Sequence, residues 1–115
     1  MRFALLLYDP EGYWESVTDE ELRAALAEHA AFAQYLRDLG VVFSGEALRP
    51  GREARALRPS GEGAVAAEGP FLPLPQDLAG FYLVECADLD EAEEIARRCP
   101  LGAGIEIRPV WEPHS

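Results

Sequence analysis

The sequence predicts an α+β domain in which the elements follow the order β-α-β-β-α-β, with an inserted β-hairpin. Residues 2–8 and 80–86 are apolar at nearly every position, which is typical of strands covered on both faces. Two further segments, beginning at Thr18 and Asp88, open with a helix cap followed three residues later by Glu. Since the chain has 115 residues and 49% of them are hydrophobic, residues 1–115 suit a single domain with one core.

The first half of the chain predicts a strand and a long helix. The strand has two alternating apolar sets, Phe3, Leu5 and Leu7 on one face and Ala4, Leu6 and Tyr8 on the other. After a loop over residues 9–12, a helix is expected to begin after Thr18 and end at about Leu39, with Gly40 as its stop. Its apolar stripe consists of Leu22, Ala25, Leu26, His29, Ala33 and Leu36. His29 should therefore face the sheet.

The second half supplies the remaining elements of the pattern. A strand over residues 41–48 precedes the inserted hairpin, which is predicted from residues 54–58 and 64–68. A Pro-rich loop covers residues 69–79. The last three elements are a strand at 80–86, a helix at 88–98 and a strand at 104–111.

This order is that of a ferredoxin-like sheet, in which the two apolar strands occupy the centre. Both helices return to the same face of such a sheet, so one chain leaves the other apolar face without cover. A second copy stacked sheet against sheet would cover it, and we therefore predict a homodimer. The alternative is that the inserted hairpin and the Pro-rich loop fold back over this face.

The chain is strongly acidic. Its ten basic side chains, all Arg, stand against 21 acidic ones and give a formal net charge of −11. Because this charge repels phosphate backbones, nucleic acids are not expected as partners. No apolar run approaches the roughly 20 residues that cross a bilayer, and no segment resembles a signal peptide. The expectation is a cytoplasmic protein without membrane contact.

The sequence lacks the signatures of common cofactor and metal sites. Cys86 and Cys99 lie in apolar patterns, so buried free thiols are expected. Two Cys and two His at unrelated spacings do not predict a zinc site, and His114 stands next to the C-terminal residue. Nucleotide-binding glycine motifs and a nucleophile elbow are missing. We therefore expect neither a cofactor nor a metal.

Sequence blocks in a fixed order along nearly the whole chain point to one family. They lie at residues 2–8, 36–41, 44–48, 68–71, 80–83, 88–92, 98–100 and 105–109. In these blocks the chain resembles the YCII-related domain family, in particular its branch named for the motif Asp-Gly-Pro-Phe. Residues 68–71 read Glu-Gly-Pro-Phe, so the acidic side chain of the motif is one methylene longer here.

The resemblance implies a dimeric α/β-barrel built from two ferredoxin-like subunits. It also implies an enzymatic role that centres on a His and an acidic partner. Some enzymes of the wider family act on small chlorinated aromatic acids or lactones, and other members are associated with alternative sigma factors. A specific reaction for this chain does not follow from the resemblance.

His29 and Glu68 are the candidate catalytic residues. A His with a pKa near neutrality can move protons at physiological pH, but His29 could equally be a core residue bonded to a backbone carbonyl. Glu68 stands before a rigid Gly-Pro turn and could orient His29 or act as a base. The alternative is that Glu68 is solvated while Phe71 fills the core. The candidate substrate-binding residues are Tyr8, Tyr82, Glu46 and Arg108.

Two functions are consistent with these residues. The first is a cofactor-free enzyme in which His29, helped by Glu68, performs acid/base chemistry on a small organic molecule. It requires a carboxylate within hydrogen-bond reach of His29 and a cavity beside the two groups. The second is a non-catalytic module that binds a small ligand or a protein partner. It is expected to have His29 fully packed with no adjoining cavity.

Overall fold

The computed structural model describes residues 1–112, and His114 lies outside this range. The elements along the chain are β1 (Arg2–Pro10), α1 (Tyr13–Ser16), α2 (Asp19–Leu39), β2 (Phe43–Ala47), β3 (Arg55–Ser60), β4 (Gly63–Glu68), β5 (Gln76–Glu85), α3 (Leu89–Arg97) and β6 (Gly104–Pro109). No helix within residues 1–112 combines the length and apolar character needed to cross a membrane.

The described strands form two antiparallel sheets. The larger sheet has the order β2-β5-β1-β6, so β1 and β5 are its central strands. The smaller sheet is the hairpin of β3 and β4, which is inserted between β2 and β5. The predicted α+β class is confirmed, and this arrangement is compatible with a ferredoxin-like fold.

The core lies between the sheet and the two longer helices. Alternation along β1 directs Phe3, Leu5 and Leu7 to one face, and all three are buried. Val84 of β5 lies opposite Phe3 and continues this apolar surface. The helices complete the core with Phe32 and Leu36 of α2 and with Ala92, Ile95 and Ala96 of α3.

Helix α2 begins and ends as its sequence predicts. The hydroxyl of Thr18 accepts a hydrogen bond from the Glu21 amide, and the Glu21 carboxylate accepts one from the Thr18 amide. Gly40 ends the helix with a φ of 74°, which glycine adopts without steric cost. The predicted apolar stripe of α2 was wrong to include Leu26, which is 58% exposed, and it left out Phe32, which is buried. Phe32 lies between His29 and Leu36 at helical spacing and completes the inner face.

The other face of the sheet carries the second apolar set. Ala4 and Leu6 of β1 and Phe81 and Leu83 of β5 are half-buried there. The register also places Arg108 opposite Ala4 and Glu106 opposite Leu6 on this face. The described chain measures 48 × 45 × 18 Å, a thickness that suits one sheet and one helix layer. We call this surface the open face.

The hairpin and the Pro-rich loop leave their large apolar residues exposed. Leu57 is 63% exposed and Val65 is 56% exposed, although strand register directs them to opposite faces of the hairpin. Phe71, Leu72 and Leu74 of the loop are also exposed. The alternative in which these segments fold over the open face is therefore not what the structure shows.

Several element boundaries differ from the sequence-based ones. β5 begins at Gln76, inside the expected loop, because residues 76–78 pair with the end of β1. The short helix α1 was missed, since its four residues follow a turn at Gly12 and carry no helical pattern. β2 and β6 are each shorter than expected. Local sequence did not predict these ends because pairing between strands decides them.

Candidate functional site

The candidate site is built around a contact between His29 and Tyr82. His29 lies in the middle of α2, and Tyr82 lies on β5 beside Leu5, on the face that the helices cover. The Nδ1 atom of His29 and the hydroxyl oxygen of Tyr82 are 2.9 Å apart, which is a hydrogen bond. Both side chains are half-buried. The hydrogen bond fixes the imidazole ring and leaves its Nε2 atom available to a bound molecule.

Two neighbours hold the ring of Tyr82 in place. Phe32 contacts it edge-on, with ring centroids 5.0 Å apart and planes at 75°. On β2, Gly45 lies directly against the ring. A Cβ atom at Gly45 would stand 2.6 Å from Cδ1 of Tyr82 and 2.8 Å from the Phe81 carbonyl oxygen. Only glycine leaves room for the tyrosine ring at this position of the sheet.

Asp9 provides the carboxylate of the site. The register between β1 and β5 shifts between Leu7 and Tyr8, and beyond this shift Asp9 lies opposite Asp77. The indole N–H of Trp14 in α1 favours the charged form of the Asp9 carboxylate and so acts to lower its pKa. Burial raises the pKa of Asp9, Asp77 adds to this increase, and His29 and Trp14 act against it. Asp9 and His29 thus interact electrostatically, but among the described residues the hydrogen-bond partner of His29 is Tyr82, and the expected carboxylate within hydrogen-bond reach of His29 is not found.

Burial also perturbs the two partners of the hydrogen bond. It lowers the pKa of His29, while the negative charges of Asp9 and Glu28 counteract this decrease. The imidazole is therefore neutral at pH 7. Burial raises the pKa of Tyr82, so its phenol keeps its proton at the same pH. A neutral imidazole beside a carboxylate can accept a proton, and the carboxylate then stabilises the imidazolium that forms.

These side chains open onto a cavity of about 450 Å³, within the size range of small-molecule sites. Helix α2 contributes Ala25, Leu26, Glu28 and His29, and α1 contributes Tyr13 and Trp14. The rest of the wall consists of Leu7, Tyr8, Asp9, Pro10, Gly45, Glu46, Ala47, Ala79, Gly80, Phe81, Tyr82, Pro100, Leu101 and Gly102. Four of the six candidate residues from the sequence border this cavity, but strand register directs only the side chains of His29 and Tyr82 into it, because Tyr8 and Glu46 belong to the set that faces the other side of the sheet.

Glu68 lies elsewhere. It is exposed at the end of β4, opposite Arg55 of the hairpin, and does not line the cavity. The turn after it supports the hairpin instead, because Arg58 lies 4.6 Å over the Phe71 ring and donates a hydrogen bond to the Phe71 carbonyl at 2.6 Å. Phe71 is 55% exposed, so it does not fill the core either. The structure does not bring Glu68 to His29.

Arg108 also lies away from His29. It is exposed on β6 and pairs with Glu106 at 3.0 Å. Strand register places Arg108 opposite Ala4 and therefore on the open face, whereas Tyr82 lies opposite Leu5 on the covered face. An ion pair so exposed to water contributes little to stability.

Sequence reasoning missed Asp9, Gly45 and Trp14. The available signal for Asp9 was its position in the alternation of β1, since it follows Leu5 and Leu7 on the face that the helices cover. Residues 9–12 contain Pro and Gly and predicted a loop, so Asp9 was not assigned to a strand. No local pattern could identify Gly45 or Trp14, whose roles depend on contacts with distant residues.

The cysteines are not part of the site. Cys86 and Cys99 are buried free thiols, as their apolar surroundings predicted. Burial raises the pKa of Cys99 to about 12, so this thiol is protonated and a poor nucleophile at neutral pH. Within residues 1–112, no group of three or more His, Cys, Asp and Glu side chains is arranged to hold a metal ion.

Comparison with known proteins identifies the family. A family model described as the YCII-related domain matches residues 1–113. The chain belongs to the YCII-related domain family. It is also 31% identical over 114 residues to Uncharacterized protein R00369 of Rhizobium meliloti (strain 1021), a match that covers 96% of this chain and 92% of that protein. The relative's name assigns no activity, and membership of the Asp-Gly-Pro-Phe branch stays a prediction.

Proposed function

We propose that this YCII-related protein is a cofactor-free enzyme that performs acid/base chemistry on a small organic molecule. His29 is the group that moves the proton, and Asp9 takes the role of acidic partner that the sequence assigned to Glu68. The observation that carries this proposal is the position of His29. It is bonded to Tyr82, coupled to a half-buried carboxylate and open to a cavity.

The proposed mechanism assigns a separate task to each side chain. Tyr82 fixes the orientation of the imidazole through Nδ1, and Nε2 accepts a proton from the bound molecule. Asp9 stabilises the imidazolium while the negative charge develops on the substrate. Return of the proton to another atom gives isomerisation, and loss of a leaving group gives elimination. General acid/base catalysis of this kind contributes about 10²–10⁴-fold to a rate.

The non-catalytic module is the alternative function. It was expected to have His29 fully packed with no adjoining cavity. His29 is instead half-buried and lines a cavity of about 450 Å³. This observation supports the enzyme over a purely structural role for His29.

We also propose that two copies form the dimeric α/β-barrel. The apolar set on the open face, which includes Leu6, Phe81 and Leu83, supports this assembly because it is half-buried in a single chain. Stacking of two sheets about 10 Å apart would remove these side chains from water.

Deuterium exchange tests the proposed enzyme. The protein is incubated in D₂O with each member of a panel of small ketones, enones and lactones, and NMR measures the rate at which deuterium enters the compound. Wild-type protein is expected to accelerate exchange at an acidic carbon of at least one member. His29→Gln should reduce this rate by about 10²–10⁴-fold without a loss of fold. Exchange that does not depend on His29 would contradict the proposal. So would the combination of no exchange in any member of the panel and a His29 pKa equal to that of an exposed histidine.

A further inference from the structure

The charges in the cavity wall restrict the ligands that it can take. Every basic side chain of the protein apart from its two His is an Arg, and none of the ten Arg residues lines the cavity. Two carboxylates face it, those of Asp9 and Glu28, whereas strand register places Glu46 opposite Phe81 and directs its side chain to the open face. Within residues 1–112, the imidazole in the wall is that of His29, which burial keeps neutral at pH 7.

This arrangement disfavours an anionic ligand. A carboxylate or phosphate that enters a partly apolar cavity loses hydration and needs a cation or several N–H donors in return. No Arg within residues 1–112 lines the cavity, and the carboxylates of Asp9 and Glu28 repel an anion.

Aromatic rings surround the same space. The rings of Tyr13, Trp14 and Tyr82 line it, whereas strand register directs those of Tyr8 and Phe81 to the open face. Tyr13 and Trp14 contact each other edge to face, with centroids 5.3 Å apart and planes at 77°, so the two rings stiffen one wall. The faces of aromatic rings attract cations, and Trp attracts them most strongly. Carboxylates and aromatic faces together form the usual surroundings of a bound organic cation.

We propose that the cavity binds a ring-sized apolar molecule carrying an ammonium group. The apolar part would lie against the aromatic wall, and the ammonium group would lie near the carboxylates. This inference rests on the proposed function because it names the substrate class of the same cavity. It concerns binding, and it can therefore be tested without turnover.

The test compares three probes of similar shape and different charge: 2-phenylethylammonium, 2-phenylethanol and phenylacetate. Their affinities for the wild-type protein are measured by NMR chemical-shift titration at pH 7.5 and low salt. We expect the ammonium to bind at least tenfold more tightly than the alcohol, and phenylacetate to bind most weakly. Equal affinity of ammonium and alcohol, tightest binding of phenylacetate, or no binding of any probe would each overturn the inference.

A charge variant separates local attraction from the charge of the whole protein. Glu28→Gln should weaken binding of the ammonium by about threefold and leave the alcohol unchanged. Glu94→Gln on α3 removes the same charge at an exposed position outside the cavity and should change neither affinity. Equal effects of the two variants on the ammonium would contradict a specific role for the cavity.

The outcomes also separate this inference from the proposed function. If the ammonium fails to bind while His29-dependent exchange persists on neutral compounds, the substrate class is wrong and the enzyme stands. If the ammonium binds to the wild type and to His29→Asn, but no His29-dependent reaction is found, the substrate class stands and the enzyme is wrong.

Discussion

His29 and Tyr82 are 53 residues apart in sequence and 2.9 Å apart in space. The helical stripe correctly predicted that His29 faces the sheet, since an apolar stripe must be buried against something. Its partners were not predictable. Asp9 replaces Glu68 as the nearby carboxylate because the end of β1 continues beyond its apolar run and pairs with β5. The choice of partner is thus a result of strand register.

The coupling between Asp9 and His29 predicts the effect of one substitution. Asp9→Asn removes a negative charge that raises the pKa of His29, so this pKa should fall further below its usual value. Titration of the imidazole signals by NMR measures the change. Glu94→Gln is the control and should leave the titration unaltered. An unchanged pKa in Asp9→Asn would show that the carboxylate does not act on His29.

The lowered pKa of His29 also predicts how stability depends on pH. The unfolded chain binds a proton at His29 at a higher pH than the folded chain does, so protonation favours unfolding. This contribution to stability is present above the unfolded pKa of about 6.5 and is lost as pH falls through the folded pKa.

His29→Asn should remove this part of the pH dependence. Urea unfolding between pH 5 and pH 7.5 is expected to show a smaller loss of stability on acidification in the variant than in the wild type. Asp9, whose pKa is raised by burial, acts in the opposite sense, since it favours folding when protonated. If the free energy of unfolding of the variant fell with pH as steeply as that of the wild type, the prediction would be contradicted.

At the scale of the elements, three strands and one long helix combine to hold the site. β1 brings Asp9, β2 brings Gly45, β5 brings Tyr82, and α2 brings His29. The caps of α2 were predictable because they depend on neighbours within four residues. The extra length of β5 and the existence of α1 were not, because contacts with distant parts of the chain decide them.

Gly45→Ala tests the support that β2 gives to the site. The added methyl group would stand 2.6 Å from the Tyr82 ring, so the ring must move and the hydrogen bond to His29 should weaken. We expect a loss of about 1–3 kcal/mol in the free energy of unfolding and altered imidazole chemical shifts.

The control is Gly63→Ala in β4, where the added Cβ would have an ordinary contact of 4.0 Å with the Ser60 carbonyl oxygen. It should leave the His29 signals unchanged. If Gly45→Ala also left them unchanged, close packing at Gly45 would not be what positions Tyr82.

For the whole molecule, the open face is the feature with the largest consequence. Its apolar residues belong to the two central strands, β1 and β5, and are half-buried in the described chain. The described chain is 18 Å thick, which corresponds to this sheet and the helix layer on its other face. The proposed dimer covers this face, whereas the exposed apolar residues of the hairpin lie apart from it. Assembly and the cavity therefore depend on opposite faces of one sheet.

Sedimentation tests the proposed assembly. The wild type is expected to sediment as a species of twice 12.6 kDa, and Leu83→Arg should shift it to a single chain, because Leu83 lies on the open face. Leu57→Arg on the exposed hairpin is the control and should leave the dimer intact. A well-folded single chain of the wild type at high protein concentration would contradict the dimer.

The sequence by itself determined the α+β class, the caps of α2, the inner face that carries His29 and the family to which the chain belongs. These follow from local periodicity, from capping and from extended similarity. Only the tertiary structure decided which carboxylate stands near His29, that Tyr82 bonds it, and that Glu68 and Arg108 lie elsewhere. Strand register and the packing of α2 bring these groups together, and both depend on residues too distant in sequence for a local pattern to reveal.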